Sequence, residues 1–100
     1  MRRYELYLVI DAEVEEDDTN AIVERMTQLI SVGDGETKGE VVKVEPRGNR
    51  RLAYPIKKKQ ESHDIILYFQ SPPQVLPEME RVLKLDEQVL RYLIVRTDEG

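Results

Sequence analysis

The sequence contains one segment whose residue types suit contact with a polyanion. Residues 46–60 carry six bases and no acid, namely Arg47, Arg50, Arg51, Lys57, Lys58 and Lys59. Arg50 and Arg51 are followed closely by Tyr54, so guanidinium groups stand beside an aromatic ring. RNA-binding surfaces use this mixture for phosphate contact and base stacking. We therefore interpret the segment as an RNA-contacting surface rather than as a hairpin whose charges are merely solvated.

The overall charge of the chain points the other way. Twenty acids and 15 bases give a net charge of −5 and a pI near 4.9, whereas nucleic-acid-binding domains are usually basic. Outside residues 46–60, however, the balance is nine bases to 20 acids. The charge is thus segregated, and an acidic remainder is a poor surface for RNA but a good one for a basic protein. We expect the chain to bind RNA weakly by itself.

The residues that most often serve enzymes or bind ions occur here in unsuitable patterns. Two carboxylate pairs, at residues 15–16 and 17–18, stand just before a helical pattern, which favours stabilisation of the helix N-terminus. A calcium loop needs a central glycine, and residues 11–18 have none. Gly33, Asp34 and Gly35 precede a strand rather than a helix, so they favour a turn over a phosphate cradle.

Cysteine and histidine usage excludes several further kinds of site. The chain has no cysteine, which excludes disulfides, thiolate zinc sites and cysteine nucleophiles. Its single histidine, His63, has no serine or carboxylate at a recognisable catalytic spacing and cannot form a histidine metal cluster. We interpret His63 as a solvent-facing residue at the start of a strand. We expect no catalysis, no cofactor, no metal and no small-molecule substrate.

The N-terminal region has the features of no targeting signal. The apolar run at residues 6–10 is too short for a signal-peptide core or a membrane span, and Asp11 follows it. Seven of the first 20 residues are acidic, which organellar transit peptides avoid. We expect a cytoplasmic protein with no membrane contact.

Hydrophobic periodicity and turn residues predict four strands and two helices. Strict alternation of apolar residues indicates a strand, and a recurrence at three or four residues indicates a helix. The predicted strands cover residues 4–10, 41–44 with 51–56, 64–70 and 89–96, and the predicted helices cover residues 19–30 and a segment starting at Ser71. Ser71 is expected to cap the second helix, residues 46–49 to form a bulge, and residues 57–62 to form a polar hairpin loop.

The order β-α-β-β-α-β defines the expected fold class. Short connections and right-handed crossovers favour an α+β, ferredoxin-like split sandwich, with two helices on one face of a four-stranded antiparallel sheet. We expect residues 1–100 to form one domain, with an ordered core over about residues 1–96. The first and last strands of this fold are neighbours, so we expect the charges of Arg2, Arg3, Arg91 and Arg96 to converge.

Three segments of the sequence resemble one known family. They are residues 1–5 (MRRYE), 50–58 (RRLAYPIKK) and 85–91 (LDEQVLR), the last leading to Val95 and Arg96. In this order and spacing they resemble bacterial ribosomal protein S-six (S6), of the small ribosomal subunit. The resemblance implies the ferredoxin-like fold and no catalysis. It also implies a place on the central domain of small-subunit rRNA, beside the basic ribosomal protein S-eighteen (S18).

The resemblance matches basic positions of the family without dividing them between RNA and the protein partner. With Tyr54 of the basic segment, the candidate contact residues are Arg2, Arg3, Arg50, Arg51, Tyr54, Lys58, Arg91 and Arg96. The chain departs from the family pattern in three places. The segment at residues 31–39 is longer than the family's usual glycine turn. His63 and Asp64 stand where members often have a glycine and an aromatic residue, and Leu90 replaces a base found in some members.

Two other functions on the same fold stay open. An acylphosphatase-like enzyme needs an arginine, here Arg2 or Arg3, beside a backbone anion cradle, but the connector after the first strand is acidic and has no glycine. A regulatory module would bind a small ligand and dimerise through the open face of its sheet.

Overall fold

The computed structural model describes residues 1–33, 35 and 38–98. Within them it has four strands and two α-helices in the predicted order. They are β1 (Arg2–Asp11), α1 (Glu16–Ile30), β2 (Glu40–Ile56), β3 (Lys59–Ser71), α2 (Leu76–Leu85) and β4 (Val89–Arg96).

The four strands form one antiparallel sheet in the order β2-β3-β1-β4. Alternate residues of β1, such as Leu6 and Leu8, share a buried core with Met26 of α1 and with Met79 and Leu83 of α2. Both helices therefore cover the same face of the sheet, which confirms the predicted split sandwich. The intervening residues of β1 point to the opposite face, which we call the open face.

The first helix begins three residues earlier than predicted. Glu16, Asp17 and Asp18 form its first turn, and the preceding Glu15 makes no capping hydrogen bond through its side chain. These carboxylates stabilise the helix through the positive end of its dipole. The placement thus favours a helix-stabilising role for residues 15–18 over a catalytic or calcium-binding one.

The hairpin between β2 and β3 is tighter than the predicted loop at residues 57–62. Its turn consists of Lys57 and Lys58, with φ angles of 51° and 67°, and β3 starts at the next residue. Left-handed backbone at two successive residues is the geometry of a two-residue hairpin turn, which usually carries glycine or asparagine. The predicted hairpin is confirmed, but the sequence lacks that signal and the predicted length of the loop was wrong. The predicted bulge at residues 46–49 is confirmed by a register shift between Pro46 and Gly48.

The predicted capping role of Ser71 is wrong. Ser71 pairs with Arg2 at the end of β3, and its hydroxyl donates to the carbonyl of Pro72 at 3.1 Å. A 3-10 turn over Pro73–Val75 follows, and α2 starts only at Leu76. Pairing with β1 holds Ser71 in the sheet, and this long-range constraint outweighs the local capping pattern.

The loop between α1 and β2 is described only in part. Gly33 and Gly35 have φ angles of 113° and 56°, which fits the predicted turn, whereas Asp34 lies outside the described residues. Gly39 packs against the carbonyl of Ile30. No helix in the described part of the chain is long and apolar enough to cross a membrane.

Candidate nucleic-acid interface

The candidate contact residues fall into two clusters at opposite ends of the sheet. In the pairing of β4 with β1, Arg96 lies opposite Tyr4 and Arg91 lies opposite Val9. The two arginines are therefore five residues apart along β4, or about 17 Å. The terminal cluster consists of Arg2, Arg3 and Arg96. The hairpin cluster consists of Arg50, Arg51, Tyr54, Lys58 and Arg91. The expectation that Arg91 and Arg96 converge was therefore wrong.

The two arginines of β4 also point to opposite faces. Residues five apart in a strand have opposite orientations. Arg96 is opposite Tyr4, whose ring is in the core, and Arg91 is opposite Val9 on the open face. The opposite orientation of Arg91 and Arg96 was predictable from the sequence, because it follows from the strand assignment alone.

The hairpin reaches past the end of β1 to contact β4. The ammonium group of Lys57 donates a hydrogen bond to the carbonyl of Val89 at 3.0 Å. The guanidinium carbon of Arg91 lies 5.6 Å from the centroid of the Tyr54 ring, within the range of a cation–π interaction. These contacts place the aromatic ring of the hairpin beside the open face. Tyr54 remains 56% exposed, so its ring stays accessible for stacking.

A buried carboxylate on the open face organises the other end of the hairpin cluster. Asp64 is 1% exposed and accepts three hydrogen bonds from side chains. The hydroxyl of Tyr7 donates to Oδ2 at 2.7 Å, the Nε–H of Arg50 donates to Oδ2 at 2.9 Å, and the hydroxyl of Ser62 donates to Oδ1 at 2.7 Å. Such donors offset the cost of removing a charge from water.

Sequence reasoning missed this network. Its one signal was an acid within a strand of apolar residues, two positions after Ser62 and so on the same face. The donors from Tyr7 and Arg50 lie 57 and 14 positions away, and only the strand register brings them to Asp64. Hydrogen bonding to the Asp64 carboxylate, with burial second, raises the pKa of the Tyr7 phenol above its ordinary value.

Several bases of residues 46–60 are already paired. Arg47 contacts Glu45 at 3.5 Å, and the Lys59 ammonium contacts Asp11 at 3.3 Å and Glu13 at 3.0 Å. The bond to Glu13, followed by that to Asp11, raises the pKa of Lys59. Within residues 1–33, 35 and 38–98, Arg51, Lys57 and Lys58 have no ion pair, although the Lys57 ammonium donates to a backbone carbonyl. Arg51 and Lys58 are the two of these that also make no side-chain hydrogen bond there.

The terminal cluster is held by backbone pairing between β1 and the residues after β4. Arg2 and Arg3 are exposed, and the amide of Thr97 donates to the carbonyl of Arg3 at 2.9 Å. Arg96 pairs with Asp98 through Nε at 2.7 Å. That bond lowers the pKa of the Asp98 carboxyl.

The remaining candidate sites have structural partners. His63 lies within β3 rather than at its start, and its Nδ1 is 2.9 Å from the Asn49 side-chain oxygen. Glu13 of the β1–α1 connector pairs with Lys59, so an acidic group stands where an acylphosphatase-like site would need an anion cradle. Among the residues that the structure describes, no group of three or more acids or histidines is placed to hold a metal.

Comparison with known proteins gives consistent matches along almost the whole chain. The family model described as Ribosomal protein S6 matches residues 3–96. Small ribosomal subunit proteins bS6 of Moorella thermoacetica and Caldanaerobacter subterraneus subsp. tengcongensis are each 40% identical over 99 residues. The match covers 99% of this chain and 97% and 100% of those proteins. The crystal structure of 30S ribosomal protein S6 from Thermotoga maritima matches with a TM-score of 0.83 and 33% identity, covering 96% of this chain and 87% of that one.

Proposed function

Because the chain belongs to the ribosomal protein S6 family, we propose that it binds the central domain of small-subunit rRNA together with S18. The family consists of ribosomal proteins rather than enzymes, which confirms the resemblance read from the sequence and the prediction of no catalysis. In this proposal the protein is a structural component of the small subunit in the cytoplasm. Residues 1–100 form its single domain.

The hairpin cluster is the observation that carries the proposal. It joins the exposed charges of Arg51 and Lys58 to a guanidinium–aromatic pair formed by Arg91 and Tyr54. Cations that neutralise phosphates supply most of the affinity of such surfaces, and a rigid sheet fixes where those cations sit. Arg2, Arg3 and Arg96 of the terminal cluster provide a second contact region at the other end of the sheet.

The acidic part of the chain supports a basic protein partner. Residues 11–30, which include α1, carry seven carboxylates and a single base, Arg25. A surface of this sign attracts a basic protein and repels RNA. We therefore propose that S18 meets the acidic part, and that RNA binding is weak until S18 supplies further positive charge.

The test is a titration of a central-domain rRNA transcript with the protein, with and without S18, over a series of salt concentrations. Arg50→Ala combined with Arg51→Ala should weaken binding and flatten the salt dependence by about one unit for each lost phosphate contact. Lys38→Ala combined with Lys84→Ala removes two exposed bases that lie outside both clusters and outside residues 11–30, and it should leave the slope unchanged. Equal affinity with and without S18, or equal slopes for the two double variants, would contradict the proposal.

A further inference from the structure

The guanidinium group of Arg50 is hydrogen-bonded at one edge and exposed to solvent at the other. Its Nε–H donates to Asp64, whereas its two terminal nitrogens make no hydrogen bond within the part of the chain that the structure describes. The Arg50 side chain is 54% exposed, and the Asp64 side chain beneath it is 1% exposed. One edge of a rigid planar group is thus fixed from below while the other meets solvent.

Arg50 shares a surface depression with a second arginine. Arg50 and Arg91 both line a shallow depression of about 300 Å³ on the open face, together with Tyr7, Val9 and Leu93. A guanidinium presents paired N–H groups that match two oxygens of one phosphate. With Nε occupied, the terminal nitrogens are the pair that remains for such a contact.

We propose that Asp64 is a positioning residue that fixes Arg50 so that its terminal nitrogens receive an rRNA phosphate in this depression. The inference rests on the proposed function and adds a residue that the basic segment does not contain. Ser62 and Tyr7 hold the carboxylate in turn, since each donates to it at 2.7 Å. Ordering a long side chain before binding lowers the entropic cost of the contact.

The sign of the effect separates positioning from simple electrostatics. Asp64→Asn and Glu78→Gln each remove one negative charge, and Glu78 lies on α2, where it pairs with Arg81. On charge alone, both variants should bind the polyanion more tightly. If Asp64 positions Arg50, Asp64→Asn instead weakens binding of the central-domain transcript and S18 about three- to tenfold, the effect of disordering one side chain. Glu78→Gln binds as tightly as the wild type or more tightly.

A double-mutant cycle tests whether the effect runs through Arg50. In an Arg50→Ala background, Asp64→Asn should cause no further weakening, because no guanidinium is left to position. Independent losses from the two substitutions would overturn the proposal. The Nε–H of Arg50, followed by NMR in the free protein, should exchange with solvent more slowly than that of Arg51, and Asp64→Asn should abolish the difference.

Three controls keep the interpretation unambiguous. Should Asp64→Asn unfold, Ser62→Ala and Tyr7→Phe each remove one donor to the carboxylate, and each should weaken binding less than Arg50→Ala. Binding to S18 without RNA should be unchanged in Asp64→Asn, and a loss there would overturn the proposal in favour of a protein contact. Failure of the wild type to bind rRNA with S18 would refute the proposed function itself, whereas wild-type affinity in Asp64→Asn would refute only this inference.

Discussion

The ammonium group of Lys57 and the carbonyl of Val89 join the tip of the β2–β3 hairpin to the first residue of β4. The two residues are 32 positions apart, and β1 lies between β3 and β4 in the sheet. The contact therefore connects the hairpin to β4 past β1, a strand that does not pair with the tip of the hairpin. Tyr54 of the same hairpin meets Arg91 of the same strand, so the two contacts join the same two segments of the chain.

Replacing Lys57 by methionine should loosen this connection. We expect Lys57→Met to lower the free energy of unfolding by about 1 kcal/mol, the usual net value of one hydrogen bond. Lys58→Met is the matched control, because Lys58 is the other turn residue, also has a positive φ, and has no hydrogen bond or ion pair within residues 1–33, 35 and 38–98. Urea unfolding of both variants measures the difference, and equal midpoints would contradict a structural role for the contact.

Core and open-face leucines should differ sharply in their effect on stability. Leu6 is fully buried between the sheet and the helices, whereas Leu93 on the open face is 60% exposed. We expect Leu6→Ala to cost about 2–5 kcal/mol through lost burial and an unfilled cavity, and Leu93→Ala to cost less than about 0.5 kcal/mol. Thermal and urea unfolding provide the test. A large loss in Leu93→Ala would mean that the open face is covered in the free protein.

Two glycines should respond differently to alanine. A Cβ at Gly39 would collide with the backbone carbonyl of Ile30, and backbone cannot move aside cheaply. A Cβ at Gly48 would meet open space, although the φ of 80° there is unfavourable for alanine. We expect a loss of up to about 3 kcal/mol for Gly39→Ala and of about 1 kcal/mol for Gly48→Ala. The reverse order in urea unfolding would contradict a close contact between Gly39 and the carbonyl of Ile30.

Alkaline titration should identify Tyr7 as a late-ionising phenol. Its hydrogen bond to Asp64 raises its pKa, as the bond from Tyr68 to Glu45 raises the pKa of Tyr68. Because the folded-state pKa lies above the unfolded value, the bond stabilises the fold fully below the ordinary tyrosine pKa. That stability is lost as the pH rises through the raised value. In an absorbance titration, Asp64→Asn should shift Tyr7 to lower pH and leave Tyr68 unchanged. A Tyr7 signal that stays late in this variant would contradict the assignment.

The sheet order was predictable because short connections and right-handed crossovers leave few arrangements for this order of elements. The helix-covered face was predictable because it follows from local periodicity. In β1, alternation alone places Leu6 and Leu8 on one face and Tyr7 on the other. The turn at Lys57 and Lys58 could not be predicted, since lysine rarely adopts a positive φ and nothing nearby marks the turn.

The candidate site was predictable in composition but not in geometry. The basic segment identified Arg50 and Tyr54, yet their partners Asp64 and Arg91 come from other strands. Pairing register decides which distant side chains meet, and no short motif encodes it. The same limitation hid the ion pairs of Lys59, whose acidic partners precede it by more than 40 positions.

The irregular course of β2 has a consequence for the protein before it joins a particle. β2 is an edge strand of 17 residues, and a long, straight edge would offer a template for pairing with another chain. Register shifts interrupt it at three places, and Pro46 removes one backbone donor. Lys43 and Arg47 add charge along the same strand. These features make edge-to-edge association of the free protein unfavourable.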